Sequence, residues 1–187
     1  MSAAAVISPM LITFLGMDPY LAVGIALSSD VLASAVSAYT YAKNKNIDVK
    51  NGLIMMGSVL VFTVVGSYVS SLVPSATMGN FSVFMTFLLG IKFIVRPVMT
   101  TKEAMQGVSA KKRAVQSIVC GVIIGLICGF VGAGGGMMML LILTSVLGYE
   151  LKTAVGTSVF IMAFTAFTGA ASHFAIGGMP DWTVWIL

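Results

Sequence analysis

Charge is scarce in this sequence. Only 9% of its 187 residues are charged, ten Lys and Arg against six Asp and Glu. A soluble domain carries about a quarter charged residues, so the shortage excludes an ordinary water-solvated surface. Histidine and cysteine are scarcer still, with one His and two Cys in the whole chain. No metal-ligand cluster can be assembled from them, and with paired acids also missing an intramembrane enzyme lacks its equipment. Cys120 and Cys128 share one apolar stretch, about 12 Å apart at helical rise and too far for a disulfide, and they read as small buried residues. No Lys or Arg precedes Lys43. The basic n-region of a signal peptide is therefore absent, although "ASAVSA" at 33–38 looks like a cleavage site. There is no Walker-type loop, so a transport step would draw on a gradient or a partner protein, and no cofactor is expected.

Apolar residues fill the chain instead: 58% are hydrophobic and the mean hydropathy is +1.04. Apolar runs at 19–42, 51–73, 78–99 and 114–131 each approach the roughly 20 residues that cross a hydrocarbon core. Two shorter runs lie at 3–17 and 137–147. The alternating segments of about ten residues that build a membrane β-barrel do not occur. The expectation is an all-α, polytopic transmembrane helical bundle. Fourteen Met residues read as core and lipid-facing filling, without the Cys or His partners of a copper path.

The basic residues give sidedness. Lys43, Lys45 and Lys50 lie in "KNKNIDVK", and Lys102, Lys111, Lys112 and Arg113 lie in "TKEAMQGVSAKKR". Two helices separate these loops, so both fall on one side, which the positive-inside rule makes the cytoplasm of a plasma-membrane protein. Lys92 and Arg96 read as residues snorkelling to that interface, and Trp182 and Trp185 as an interfacial belt.

The chain also repeats itself. "AVG" at 22–24 recurs at 154–156, 132 residues later, and the same offset pairs Leu15 and Gly16 with Leu147 and Gly148, Asp18 with Glu150, and Ala38 with Ala170. A register held across a loop and two apolar segments reads as an internal duplication. The first copy ends in lysines, whereas the second carries Lys152 in its inner turn and ends without a basic residue. Opposite flanking charge predicts copies that face opposite ways, an inverted repeat of the kind secondary transporters use. That parity holds if 3–17 and 137–147 are crossings; if they are re-entrant the copies are parallel and the charge difference has no explanation. The expected units are a first repeat at 1–99, a basic loop at 100–113 and a second repeat at 114–187.

One stretch asks for a ligand. "GFVGAGGGMMML" at 129–140 places Gly132, Gly134, Gly135 and Gly136 between an apolar helix and an apolar run too short for an untilted span. Glycines there interrupt the helix and free N–H groups at the next helix N-terminus, an anion site made without a charged side chain. Gly121, Gly125 and Gly129, at four-residue spacing, form a small-residue stripe assigned to helix packing.

The stretch "GFVGAGGGMMMLLILTSVLGYELKTAVGTSVFIMAFTAFTGAASHFAIGGMPDW" resembles the second-repeat signature of the TauE/SafE sulfite exporter family, and "LITFLGMDPYLAVGIALSSDVLASAVSAYTYAKNKNIDV" resembles the first. The resemblance implies a multi-helix plasma-membrane permease for sulfite or organosulfonate-related anions. Family members open with a further helix and a first glycine-rich run before the residues matching Ser8 and Pro9, so the chain is expected to lack its first helix and to be truncated at its C-terminal end. In the first copy "AVGIALSSD" replaces "AVGTS" and puts Asp30 where the second copy has Met162.

Gly156, Thr157 and Ser158 join the glycine run as expected oxyanion contacts, with Ser28 and Ser29 in the equivalent region of the first copy; a hydroxyl bonding back within its own helix is the alternative. Asp30, an acid inside an apolar helix, and His173, the one histidine, are the candidate proton-coupling groups. The implied function is a secondary transporter for a small oxyanion, the alternative a non-transporting membrane subunit or a fragment needing a partner. The implied partners are that anion and the lipid bilayer, with a homodimer open and no nucleic acid.

Overall fold

The computed structural model describes residues 4–95, 110–131 and 135–177, and all the regular structure among them is helical. The helices are α1 (Ala4–Leu15), α2 (Pro19–Lys43), α3 (Val49–Ser71), α4 (Ser75–Val95), α5 (Ala110–Val131), α6 (Gly135–Ser145) and α7 (Leu151–Gly177). Among the described residues four stretches are long and apolar enough to cross a membrane, namely α2, α3, 114–131 of α5, and α7. Helix α5 starts at Ala110, so Lys111 and Lys112 ride on its first turn rather than in the loop before it. Helix α6 begins at Gly135, two residues earlier than the apolar run suggests, so Gly135 and Gly136 are its first turn rather than part of the interruption. Arg96, Trp182 and Trp185 lie outside the described residues.

Glycine faces decide how the helices meet. Gly121 of α5 lies against Met55 and Ser58 of α3, Gly125 against Val59 and Phe62, and Gly129 against Thr63 and Ser67. The numbers rise together, so α3 and α5 run parallel, backbone to backbone along the stripe expected to pack. Gly52 meets Thr157 and Gly169 meets Thr63, which sets α7 parallel to α3. Against α2 the sense reverses: Tyr20 meets Gly177, Gly24 meets Phe174 and Leu27 meets Gly169. Helices α2 and α7 therefore run antiparallel. With α3, α5 and α7 parallel, the residues before α3, the first turn of α5 and Lys152 collect at one end of the bundle, the basic end.

The repeat is present in backbone geometry. Gly16 and Gly148, 132 residues apart, have φ of +60° and +65° and are the positive-φ glycines among the described residues. Such values suit glycine and reverse the chain after a helix. Met17 N–H donates to the Leu11 carbonyl at 3.2 Å and Tyr149 N–H to the Leu143 carbonyl at 2.8 Å; Ala22 N–H donates to Asp18 and Ala154 N–H to Glu150, at 2.9 and 2.8 Å. Each pair is one bond found again at the same offset, so α1–α2 and α6–α7 share the geometry of a short-helix, long-helix hairpin. The contacts between the copies are reciprocal too. A Cβ on Gly24 would stand 3.2 Å from the Cβ of His173, and one on Gly156 would stand 3.1 Å from that of Tyr41. Adding the offset to Gly24 and Tyr41 yields Gly156 and His173.

Alanine at these glycines separates close approach from open surface. A Cβ on Gly129 would fall on the Thr63 carbonyl, whereas one on Gly57 meets nothing within 4 Å. Gly129→Ala should destabilise the protein by about 1–3 kcal/mol through overpacking, and Gly57→Ala should stabilise it by up to about 1 kcal/mol through helix propensity. Thermal unfolding in detergent, followed by circular dichroism, checks both signs.

Candidate functional site

The short helix α6 has 11 residues, about 16 Å of rise, or half a hydrocarbon core. It ends in the turn that leads to α7 at the basic end, so its N-terminus lies near mid-depth. A Cβ added to Gly135 would sit 2.7 Å from Cys128 Sγ and 3.6 Å from Met162 Sδ. Met162 is the twelfth residue of α7, and Asp30, its equivalent in the first copy, the twelfth of α2. Cys128 and Met162 share a buried cluster with Val23 and Leu27 of α2, and Asp30 follows Leu27 by three residues on that helix; Asp30, Cys128 and Met162 are each at most 2% exposed. Four helices thus meet around the start of α6. The first N–H groups of a helix have no partner within it, and they carry the positive end of its dipole. The structure brings Gly135 and Asp30 into one region; Gly136 follows in the first turn of α6, while Gly132 and Gly134 lie outside the described residues.

The second group of candidates sits elsewhere, at the basic end. Gly156 is covered by the Asn46 carbonyl, which a Cβ would overlap. Thr157 Oγ1 accepts from the Asp48 N–H at 3.0 Å, and Ser158 Oγ donates to the Val155 carbonyl in its own helix at 2.8 Å. Ser28 and Ser29 likewise donate to the Ile25 and Ala26 carbonyls, at 2.7 and 2.8 Å, and Ser29 is exposed on the outside of the bundle. Sequence reasoning misses the residues that organise the basic end. Asp48 caps α3 by accepting from the Asn51 N–H, and its Oδ2 accepts from Asn51 Nδ2 at 2.7 Å and from the Tyr149 hydroxyl at 2.9 Å. The cap has a signal in the chain, Asp-x-x-Asn before an apolar run; the reach of Tyr149, 101 residues away, has none.

His173 lies toward the other end and is 1% exposed. Its Nε2 is 2.9 Å from the Gly129 carbonyl, which also accepts from Ser67 Oγ at 3.4 Å. The ring packs on Tyr20 with centroids 4.2 Å apart, and the Tyr20 hydroxyl donates to the Ser67 carbonyl. A groove of about 390 Å³ between α3, α4 and α5, lined by Val69, Phe81 and Ile127 among others, is almost wholly apolar, with Thr77 the one hydroxyl in its lining. Among the described residues no His, Cys, Asp and Glu group could hold a metal.

Removing the Thr157 acceptor leaves the Asp48 N–H without its bond, which costs about 1–3 kcal/mol. Thr157→Val should therefore lower thermal stability in detergent by that amount, and Ser158→Ala should change it by less than about 0.5 kcal/mol.

The sequence profile of the family described as Sulfite exporter TauE/SafE matches residues 1–187. The chain is similar to the probable membrane transporter protein YunE of Bacillus subtilis, 28% identical over 182 residues, covering 90% of this chain and 66% of that one. It is also similar to the probable membrane transporter protein YdhB of the same organism, 24% identical over 156 residues and covering 83% and 64% of the two chains. A probable membrane transporter protein of Methanocaldococcus jannaschii is 30% identical over 155 residues, covering 81% and 55%. The chain thus spans between about half and two thirds of the length of these relatives. No solved structure matches it. With the whole chain matched, and with all-helical, membrane-spanning architecture beneath the match, this protein belongs to the sulfite exporter TauE/SafE family.

Proposed function

We propose that the chain is a plasma-membrane secondary transporter for a small oxyanion, sulfite or an organosulfonate-related anion, rather than an enzyme. The observation that carries this reading is the half-length helix α6, whose N-terminus opens near mid-depth among α2, α5 and α7. A helix start buried in protein at that depth is how a membrane transporter offers backbone N–H groups to an anion. Glycines at the start of α6, Gly135 and Gly136, carry no Cβ to shield their N–H groups from a ligand. The antiparallel α2 and α7, equivalent in the repeat, support an inverted repeat with the site between its halves. The collection of basic residues at one end supports a cytoplasmic location for 43–50 and 100–113.

Asp30 gives the proposal its energetics. An ionised carboxylate within ~10 Å of a bound anion repels it by on the order of 1–2 kcal/mol at an effective dielectric near 20. Anion occupancy therefore favours the protonated acid, and proton and anion travel together. His173, with Nε2 against the Gly129 carbonyl, is assigned no part in carrying that proton.

Labelled sulfite flux into proteoliposomes holding this chain, with sulfate and acetate as controls and a pH gradient imposed in either direction, tests the proposal. Saturable, sulfite-selective flux that follows the gradient is expected. Gly135→Val should reduce it at least about tenfold, the loss of one or two backbone hydrogen bonds, in a protein that still elutes as a folded species; pairing it with Cys128→Ala opens room for the new side chain. Asp30→Asn should retain flux and lose its dependence on the gradient. No flux from the folded chain would overturn transport by these residues alone and leave a membrane subunit as the reading.

A further inference from the structure

We propose that the loop 44–48 is a lid on the basic end of the bundle, latched through Asp48 to Tyr149 and Thr157, and that exchange of the anion with that side requires the latch to release. The proposal rests on the transporter reading. Helix α2 ends in a turn that sends the chain sideways: Lys45 N–H donates to the Ala42 carbonyl and Asn46 N–H to the Tyr41 carbonyl, both at 3.0 Å. These are the paired bonds that close a helix around a left-handed residue. That residue is Lys45, with φ of +56°, where the equivalent position of the second copy is Gly177. Beyond it the loop crosses onto the second copy. The Asn46 carbonyl covers Gly156, and the Asp48 N–H donates to Thr157 Oγ1 at 3.0 Å. From the turn between α6 and α7 the Tyr149 hydroxyl reaches back and donates to Asp48 Oδ2 at 2.9 Å.

Burial shows what the loop covers. Lys43, Asn44 and Lys45 are exposed, yet Tyr149 and Thr157 are 2% and 0% exposed. Tyr149 in turn belongs to a buried cluster with Met55, Cys120 and Leu147 that reaches down to Met139, the fifth residue of α6. This cluster and the loop above it stand between the basic end and the start of α6. The latch has one end only. Taking the offset from Tyr149 and Thr157 yields Met17 and Ile25, side chains without a hydroxyl, and toward that end the copies meet through the ring of Tyr20 on His173, with centroids 4.2 Å apart. Repeats that move against each other to expose a central site from alternate sides must part at one end while they hold at the other. Hydrogen bonds between a loop and a helix suit parting, because water replaces them at small net cost. The backbone contacts along Gly121, Gly125 and Gly129 have no such replacement and suit holding.

The buried Cys120, in the cluster beneath the lid, is a native reporter. A charged, membrane-impermeant thiosulfonate added to one face of oriented proteoliposomes reacts with a thiol only where water reaches it, and peptide mass spectrometry reads the site. In Tyr149→Phe the ring stays and the donor to Asp48 goes. Labelling of Cys120 from the basic face should rise about tenfold, the equivalent of one hydrogen bond of roughly 1.4 kcal/mol, with the rate from the opposite face unchanged within about twofold. Thr157→Val should act in the same direction, whereas Thr157→Ser, which keeps the acceptor, should label as the unsubstituted chain does. Acceleration from both faces would mean a loosened fold, and no acceleration from the basic face a contact that never opens; either result overturns the proposal. Sulfite flux is measured in separate vesicles without the reagent. Half-saturation on the basic side should fall about threefold or more in Tyr149→Phe, since a larger share of the chains is open there; active flux with half-saturation unaltered would overturn the role in exchange. One-sided labelling in a chain that carries no sulfite would keep the latch and remove the anion reading. If Tyr149→Phe does not fold, Thr157→Val against Thr157→Ser decides the same question.

Discussion

In hydrocarbon a backbone polar group without a partner costs several kcal/mol, and this fold is organised around the places where helices cannot supply one. Three such places among the described residues shape the interior. The last described turn of α5 lies inside the bundle, and its Gly129 carbonyl is met by His173 and Ser67. Helix α3 starts with orphan N–H groups, and Asp48 accepts from one of them while Thr157 takes the Asp48 N–H. Helix α6 starts near mid-depth, beside the Cys128 thiol and the Met162 thioether. The first two are met by side chains, and the third is where the proposed site lies.

Close approach of backbones makes those side-chain connections reach. The stripe Gly121, Gly125 and Gly129 lets α5 lie directly on α3, close enough for the Ser67 hydroxyl to reach the Gly129 carbonyl. Gly24 and Gly156 do the same for α2 and α7, one beneath His173 and the other beneath the Asn46 carbonyl. Lipid offers no hydrophobic drive for helices to associate, so van der Waals contact between small residues and hydrogen bonds across helices carry the association. The outward faces show the complement: Phe14, Leu32, Val36 and Ile94 are each more than two thirds exposed, as suits side chains that meet acyl chains.

Much of this architecture is legible in the amino-acid sequence. Hydropathy locates the long helices to within about four residues, because a span must be about 20 apolar residues whatever packs against it. The repeated "AVG" locates the duplication, and the turns at Gly16 and Gly148 keep its register, since positive φ makes glycine visible in sequence. The small-residue stripe is legible because its spacing alone marks a face. Thr157 and Ser158 group with the glycine run in sequence because they follow a resembling motif, yet motif adjacency carries no distance: Thr157 is spent on Asp48, 109 residues away. Tyr149 and His173 make their bonds through the register between helices, which depends on which glycines face which backbones. Single-chain periodicity contains nothing about that register.

The reciprocal contacts of Gly24 with His173 and Gly156 with Tyr41 have a consequence for ancestry. An interface in which each partner presents the same patch to the other is isologous, the kind two copies of one small protein make about a two-fold axis. A hairpin of this kind without the lysines at its end would have little to fix its orientation in a bilayer, so separate copies could insert both ways and pair as α2 and α7 do. Identical copies would bring two equivalent residues to the centre of the pair, and two acids there would repel or share a proton. Within a single chain that restriction is absent: Asp30 stands on one side and Met162 on the other. Asymmetry at the axis lets the centre carry a single titratable charge, which a symmetric homodimer cannot do.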